Sequence, residues 1–221
     1  MNVIGILSSP RGGNSQTRRL AQAFAAGVRE AGGDVELVDL CALNIAYCQA
    51  CDVCHRTGHC VHEDDFPPLR QKLVQADAVM FSSPNYFRSV TAQLKTMIDR
   101  MADFIHLQLF AGKYACCLTT SGGPEWAAVT RYLEDVLGSL GAQVVGSVGV
   151  AVSKGPEALQ AGEHQARALG RSLVAAVLEK RADPVQAERH RQTAAYFRRL
   201  VELNRDRWPY EYQVWAGAPR P

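Results

Sequence analysis

Four thiols fall within thirteen residues: Cys48, Cys51, Cys54 and Cys60, spaced C-x2-C-x2-C-x5-C. Gaps of two residues let three side chains turn toward one point from a single loop, and the fourth closes the set. That spacing suits a metal ion or an iron–sulfur cluster better than it suits packing. A second stretch, Ser8-Ser9-Pro10-Arg11-Gly12-Gly13-Asn14-Ser15-Gln16-Thr17, brings together hydroxyls, glycine-freed backbone N–H groups, one guanidinium and the start of a helix. These supply the donors and the positive dipole end that a phosphate needs. The stretch is not a Walker loop, since no Gly-Lys-Ser/Thr is present, and it lacks the G-x-G-x-x-G of dinucleotide-binding turns.

Such groups work only if a scaffold aims them at each other. Short apolar runs alternate along the chain with amphipathic segments. Strands are predicted over 3–7, 35–40, 78–82, 114–119 and 144–150, and helices over 15–31, 66–75, 90–102, 125–140 and 156–180. Near-continuous apolar strands separated by helices imply a parallel sheet covered on both faces. The fold class is therefore α/β, a flavodoxin-like doubly wound sheet of five strands in the order 2-1-3-4-5, with ligands beyond the carboxyl ends of its strands. The loops after strands one, three and four should then share one site. The latter two read Ser83-Pro84-Asn85-Tyr86-Phe87 and Thr119-Thr120-Ser121-Gly122-Gly123. The first can set an aromatic ring and backbone groups against a flat ligand, and the second can offer N–H groups and hydroxyls to its polar edges. Asp183 followed by Pro184 marks a further helix start, running to about residue 204. An aromatic tail follows, with no obvious place in the sheet. The chain thus divides into a sheet domain over 1–180, carrying the cysteine loop at 48–60, and a helix with tail over 181–221.

Composition bounds the function. With 47% hydrophobic and 21% charged residues, the 221-residue chain can bury a sizeable core. Its apolar runs fall far short of the ~20 residues a membrane helix needs. The opening residues lack a basic leader and read as a strand entering a loop, so a cytoplasmic protein is expected, with no membrane partner. Between residues 180 and 207, eight basic residues meet four acidic ones. That reads as a solvated helix face, too sparse and without a motif for nucleic acid. Structural disulfides are not expected in such a compartment.

The loop 8–17, the S-P-N-Y-F turn and the downstream Lys95, Asp99 and Arg100 together resemble the NADPH-dependent FMN reductase group of flavodoxin-like proteins, over roughly residues 1–178. With the cysteine motif after strand two, the chain more closely resembles the iron–sulfur flavoprotein branch. The resemblance implies FMN, with Ser9, Arg11, Asn14, Ser15, Gln16 and Thr17 on its phosphate. Pro84, Asn85, Tyr86, Phe87, Thr119, Ser121, Gly122 and Gly123 would frame its ribityl chain and isoalloxazine. It further implies a [4Fe-4S] cluster on Cys48, Cys51, Cys54 and Cys60. It implies a homo-oligomer, dimer or tetramer, in which the cluster of one subunit lies near the flavin of a neighbour. Electrons would come from NAD(P)H or a ferredoxin-like donor. No nucleophile or acid–base constellation stands out, and a flavin requires none.

On the residues alone the cysteine quartet keeps three readings. Cys60 precedes Val61 rather than a proline, so the ferredoxin pattern itself does not apply. Histidines at 55, 59 and 62 crowd the loop and keep zinc open, and unligated redox-active thiols are the third reading. The alternatives are an NAD(P)H-dependent FMN or quinone reductase without a cluster, and a non-enzymatic zinc-stapled flavin-binding module. The three histidines are expected to be solvated, and Asp64-Asp65 to cap the next helix with Phe66 in the core. Lys95, Asp99 and Arg100 are expected to form a structural ion-pair group. Cys41, Cys116 and Cys117 are expected in the core. Trp208, Tyr210, Tyr212 and Trp215 are expected to dock on a neighbouring subunit.

Overall fold

The structure, a computed structural model, describes residues 1–217. Five strands, β1 (Asn2–Leu7), β2 (Asp34–Asp39), β3 (Ala78–Pro84), β4 (Tyr114–Ser121) and β5 (Gln143–Ala151), form one parallel sheet in the order 2-1-3-4-5. Alternation along each strand sends side chains to two cores. On β1, Val3 and Leu7 face one cluster and Ile4 and Ile6 the other; on β4, Cys116 and Cys117 divide in the same way. Both of these cysteines are fully buried, as the sequence predicts.

One face is covered by α1 (Gln16–Glu30) and α7 (Pro156–Leu178), the other by α3 (Phe66–Gln75), α4 (Ala92–Asp99), α5 (Ala102–Leu107) and α6 (Trp126–Ser139). The predicted helix over 90–102 is shorter than expected: Thr91 caps α4, and Arg100 and Met101 separate it from α5. Helices α1 and α7 meet backbone to backbone. A Cβ on Gly27 would lie 1.9 Å from the Arg167 carbonyl oxygen, and one on Gly170 2.3 Å from that of Phe24. Gly27→Ala must push the helices apart, so a loss of about 2 kcal/mol is expected in urea unfolding. Unchanged stability would mean the helices separate freely.

Two expectations change here. Cys41 is exposed, because the Asp39 side chain accepts from the Cys41 N–H and turns the chain out of the sheet just after buried Leu40. The region after Asp183 forms two helices, α8 (Pro184–Leu203) and α9 (Pro209–Trp215), which fold back on their own chain. Asp183 caps α8 through the N–H groups of Val185 and Gln186. Gln186 then pairs with β5 as a strand would, accepting from Val144 N at 2.7 Å and donating to Val144 O at 3.0 Å. Among the described residues no helix is long and apolar enough to cross a membrane.

Candidate functional site

The turn leaving β1 is built in layers. Ser8 Oγ donates to the Ser82 carbonyl and Ser82 Oγ to that of Ile6, both at 2.7 Å, which locks the ends of β1 and β3 together. Ser15 caps α1, its Oγ accepting from Arg18 N at 3.1 Å. Arg18 bonds the Gly12 carbonyl and pairs with Asp39, tying the loop to the end of β2. The first-turn N–H groups of α1 are left as a positive end facing the cavity beyond the sheet. Thr17 Oγ1 meets Thr120 Oγ1 at 2.6 Å, joining this loop to that of β4.

Ten of the fourteen predicted nucleotide-site residues line that cavity of about 170 Å³: Ser9, Arg11, Ser15, Gln16, Thr17, Pro84, Asn85, Tyr86, Ser121 and Gly122. Thr120 and Val152 complete it. Four of the named residues stand outside this lining. Thr119 points to the opposite face of β4, where its hydroxyl meets Thr130 Oγ1 at 2.7 Å, and Thr120 takes its place. Tyr86 and Ser89 exchange backbone hydrogen bonds around a tight turn with Phe87 and Arg88 at φ of 51° and 61°. The turn keeps Tyr86 at the cavity and throws Phe87 fully into solvent. Asn14 is exposed in the short 3-10 turn before α1, and Gly123 lies just beyond the lining.

Two lining residues hold a buried polar atom without a partner: Gln16 Oε1 and Asn85 Oδ1. An unpaired buried acceptor costs about 1–3 kcal/mol, a cost that a donor from a ligand would remove. A ribityl chain carries hydroxyl donors and an isoalloxazine edge carries an N–H. The helix end and Arg11 would meet a phosphate placed there. The residues present therefore fit FMN.

The four motif cysteines line a second cavity of about 160 Å³, which shares no residue with the first. Cys48 and Cys51 are exposed, Cys54 and Cys60 partly buried. Left-handed backbone at Ala50, Asp52 and Gly58 winds the loop around the cavity, and α2 (Val53–Thr57) carries Cys54. Gly58 must be glycine twice over: its φ is +79°, and a Cβ would lie 2.5 Å from the Tyr210 ring.

The loop's supports differ from expectation. Lys95 and Asp99 do pair, at 2.5 Å. Arg100 instead turns to the cysteine loop, where Nη1 bonds Asp64 Oδ2 at 2.7 Å and the Ala46 carbonyl at 2.8 Å. Asp64 still accepts from Phe66 N as a capping residue would, and Phe66 is buried, but Asp65 bonds back to Asn44 N. His59 is exposed, yet His55 is buried. Its Nδ1 lies 2.6 Å from Glu211 Oε1, while His106 Nδ1 of α5 lies 2.9 Å from Glu211 Oε2. Burial pushes the His55 imidazole down, but hydrogen bonds with Cys54 and Glu211 outweigh it and raise its pKa to about 10.

The tail aromatics explain this burial. Trp208 lies over both imidazole rings, and Trp215 Nε1 donates to the His106 carbonyl at 3.1 Å. Tyr210 packs on Gly58, and Arg207 pairs with Asp52. These residues pack on their own chain's cysteine loop, and Tyr212 remains exposed.

The doubly wound sheet and the cavity across the ends of β1, β3 and β4 define an FMN-type flavoprotein. The chain belongs to the NADPH-dependent FMN reductase family, whose profile matches residues 1–157, and within it to the iron–sulfur flavoprotein branch. It is a flavin-dependent oxidoreductase. An iron–sulfur flavoprotein of Archaeoglobus fulgidus is 36% identical over 70% of this chain and 71% of its own length. Another, from Methanocaldococcus jannaschii, is 34% identical over 57% of this chain and 66% of its own length. Among solved structures, an NAD(P)H:quinone oxidoreductase from Methanothermobacter marburgensis superposes with a TM-score of 0.62 at 22% identity, covering 78% of this chain and 96% of that one. That likeness shows the fold.

Proposed function

We propose that the protein moves electrons between a reduced donor, NAD(P)H or a ferredoxin-like protein, and an acceptor, using FMN and a [4Fe-4S] cluster held by Cys48, Cys51, Cys54 and Cys60. The observation that carries this reading is the convergence of all four thiols on one cavity. A zinc ion would draw sulfurs to about 2.3 Å from one point. The cavity that the four thiols line has a volume of about 160 Å³. That relatives of this chain are iron–sulfur flavoproteins supports the same reading.

FMN supplies both one- and two-electron chemistry, and a cluster one-electron steps. The chain's own part is to bind and orient. The α1 N-terminus and Arg11 hold the phosphate, Gln16 and Asn85 accept from polar ligand edges, and Tyr86 flanks the ring. As the family resemblance implies, electron transfer between the two centres would take place in a homo-oligomer, a dimer or tetramer, with one copy's cluster near another's flavin.

Anaerobic purification followed by absorption, iron and sulfide analysis tests the proposal. Flavin bands over broad iron–sulfur absorption are expected. Flavin alone would leave a plain FMN or quinone reductase, and zinc without iron would leave the stapled module. Arg11→Ala should weaken FMN binding about tenfold, the loss of one charge-assisted contact to phosphate. Flavin-fluorescence titration reads this, and undiminished affinity would take Arg11 off the phosphate.

A further inference from the structure

Arg100 is the most completely immobilised cation beside the cysteine loop. Its side chain is 1% exposed and pairs with Asp64. The guanidinium lies over the Phe66 ring, 4.9 Å from its centroid. Nη1 reaches the Ala46 carbonyl, and both Nη atoms reach the Asp64 carboxylate. Ala46 precedes the first cysteine of the motif and Asp64 follows the last. One side chain therefore pins the two ends of the loop. Its remaining contact is to the loop's chemistry: Nη2 donates to Cys60 Sγ at 3.2 Å.

We propose that Arg100 is a positioning residue for the cluster, closing the base of the cysteine loop and raising the cluster's reduction potential through its hydrogen bond to the Cys60 sulfur. This rests on the cluster assignment made above. The physical ground is general. Reduction adds negative charge to a cluster and its sulfurs, and a donor fixed on a ligand sulfur stabilises the reduced form more than the oxidised one. The Asp64 carboxylate offsets the formal charge of Arg100. It also orients the fork, so that an N–H stays aimed at sulfur. A guanidinium does this where an ammonium cannot, because a planar fork can hold a carboxylate, a carbonyl and a sulfur at once.

The test uses anaerobically purified holoprotein as wild type, Arg100→Lys and Arg100→Gln. Iron per chain and the cluster midpoint potential, from a reductive titration followed by electron paramagnetic resonance, are read together. In R100Q the equilibrium constant for cluster reduction should fall about tenfold, a shift of about 59 mV to lower potential for one electron. R100K should lie between R100Q and wild type, and the FMN content should not move in either. A purely structural role would change iron content without changing the potential of the clusters that remain. R100Q with full iron and the wild-type potential overturns the proposal. If R100Q binds no iron, R100K decides, and full iron at the wild-type potential there overturns it equally. Wild-type protein without iron would instead overturn the cluster reading itself.

Discussion

Anaerobically purified Cys51→Ser protein is expected to keep its FMN and lose its iron, from about four atoms per chain to below one. Cys51 is the middle thiol of the C-x2-C-x2-C run and lines the same cavity as its three partners. A serine hydroxyl there is a harder, less readily ionised ligand than a thiolate, so the site loses a strong ligand where no other thiol can substitute. The remaining cysteines are placed elsewhere: Cys116 and Cys117 are sealed in the two cores, and Cys41 faces solvent. Cys41→Ser is therefore the matched control and should leave iron unchanged. FMN survives the Cys51 change because the two cavities share no lining residue. Inductively coupled plasma analysis beside flavin absorbance reads both quantities from one sample. Iron unchanged in C51S would remove Cys51 from the ligand set.

The sheet was legible because its inner strands β1, β3 and β4 are buried on both faces, and five apolar runs separated by helical periods admit few other arrangements. Local chemistry was legible too. Asp183-Pro184 starts α8, and the predicted span of α3 matches the observed one. What misled was parity and distance. Thr119 and Thr120 are identical in the sequence, and a step of one residue along a strand changes the face, so only the register separates a residue lining the cavity from a partner of α6. Phe87 sits in left-handed backbone that its type does not announce, so the turn that ejects it had no glycine or asparagine to mark it. Arg18, Arg100 and Glu211 act across 21, 36 and 156 residues of chain, on Asp39, Asp64 and His55. Partners at that separation are chosen by the tertiary fold, and no spacing in the sequence encodes them. The aromatic tail did announce that it must be covered. It could not say by which surface.

That surface sets the second large effect. Glu211→Ala should cost about 3 kcal/mol and lower the melting temperature by about 10 °C. Glu211 is fully buried, and its two oxygens serve His55 and His106, whose rings stack 4.6 Å apart beneath Trp208. Truncation leaves two imidazoles facing an apolar void with nothing to accept from them. Glu211→Gln keeps the shape and one acceptor but aims an N–H at the other ring, so a smaller loss of about 1–2 kcal/mol is expected. Acid should narrow the difference between wild type and E211A. Burial pushes the Glu211 carboxyl up, yet hydrogen bonds from His106 and His55 outweigh it and hold the group below the usual carboxylate range. A carboxylate with a lowered folded pKa contributes stability above its unfolded value, and that contribution is lost as pH falls through the folded one. Urea unfolding at pH 7 and again in acid would show the gap narrowing, and equal stabilities at pH 7 would refute this role of Glu211. Because α9 presses on α2 and on Gly58, between Cys54 and Cys60, loosening it should also speed iron release to a chelator. Unfolding and iron release would then respond together to one carboxylate that lies outside the residues matched to the family.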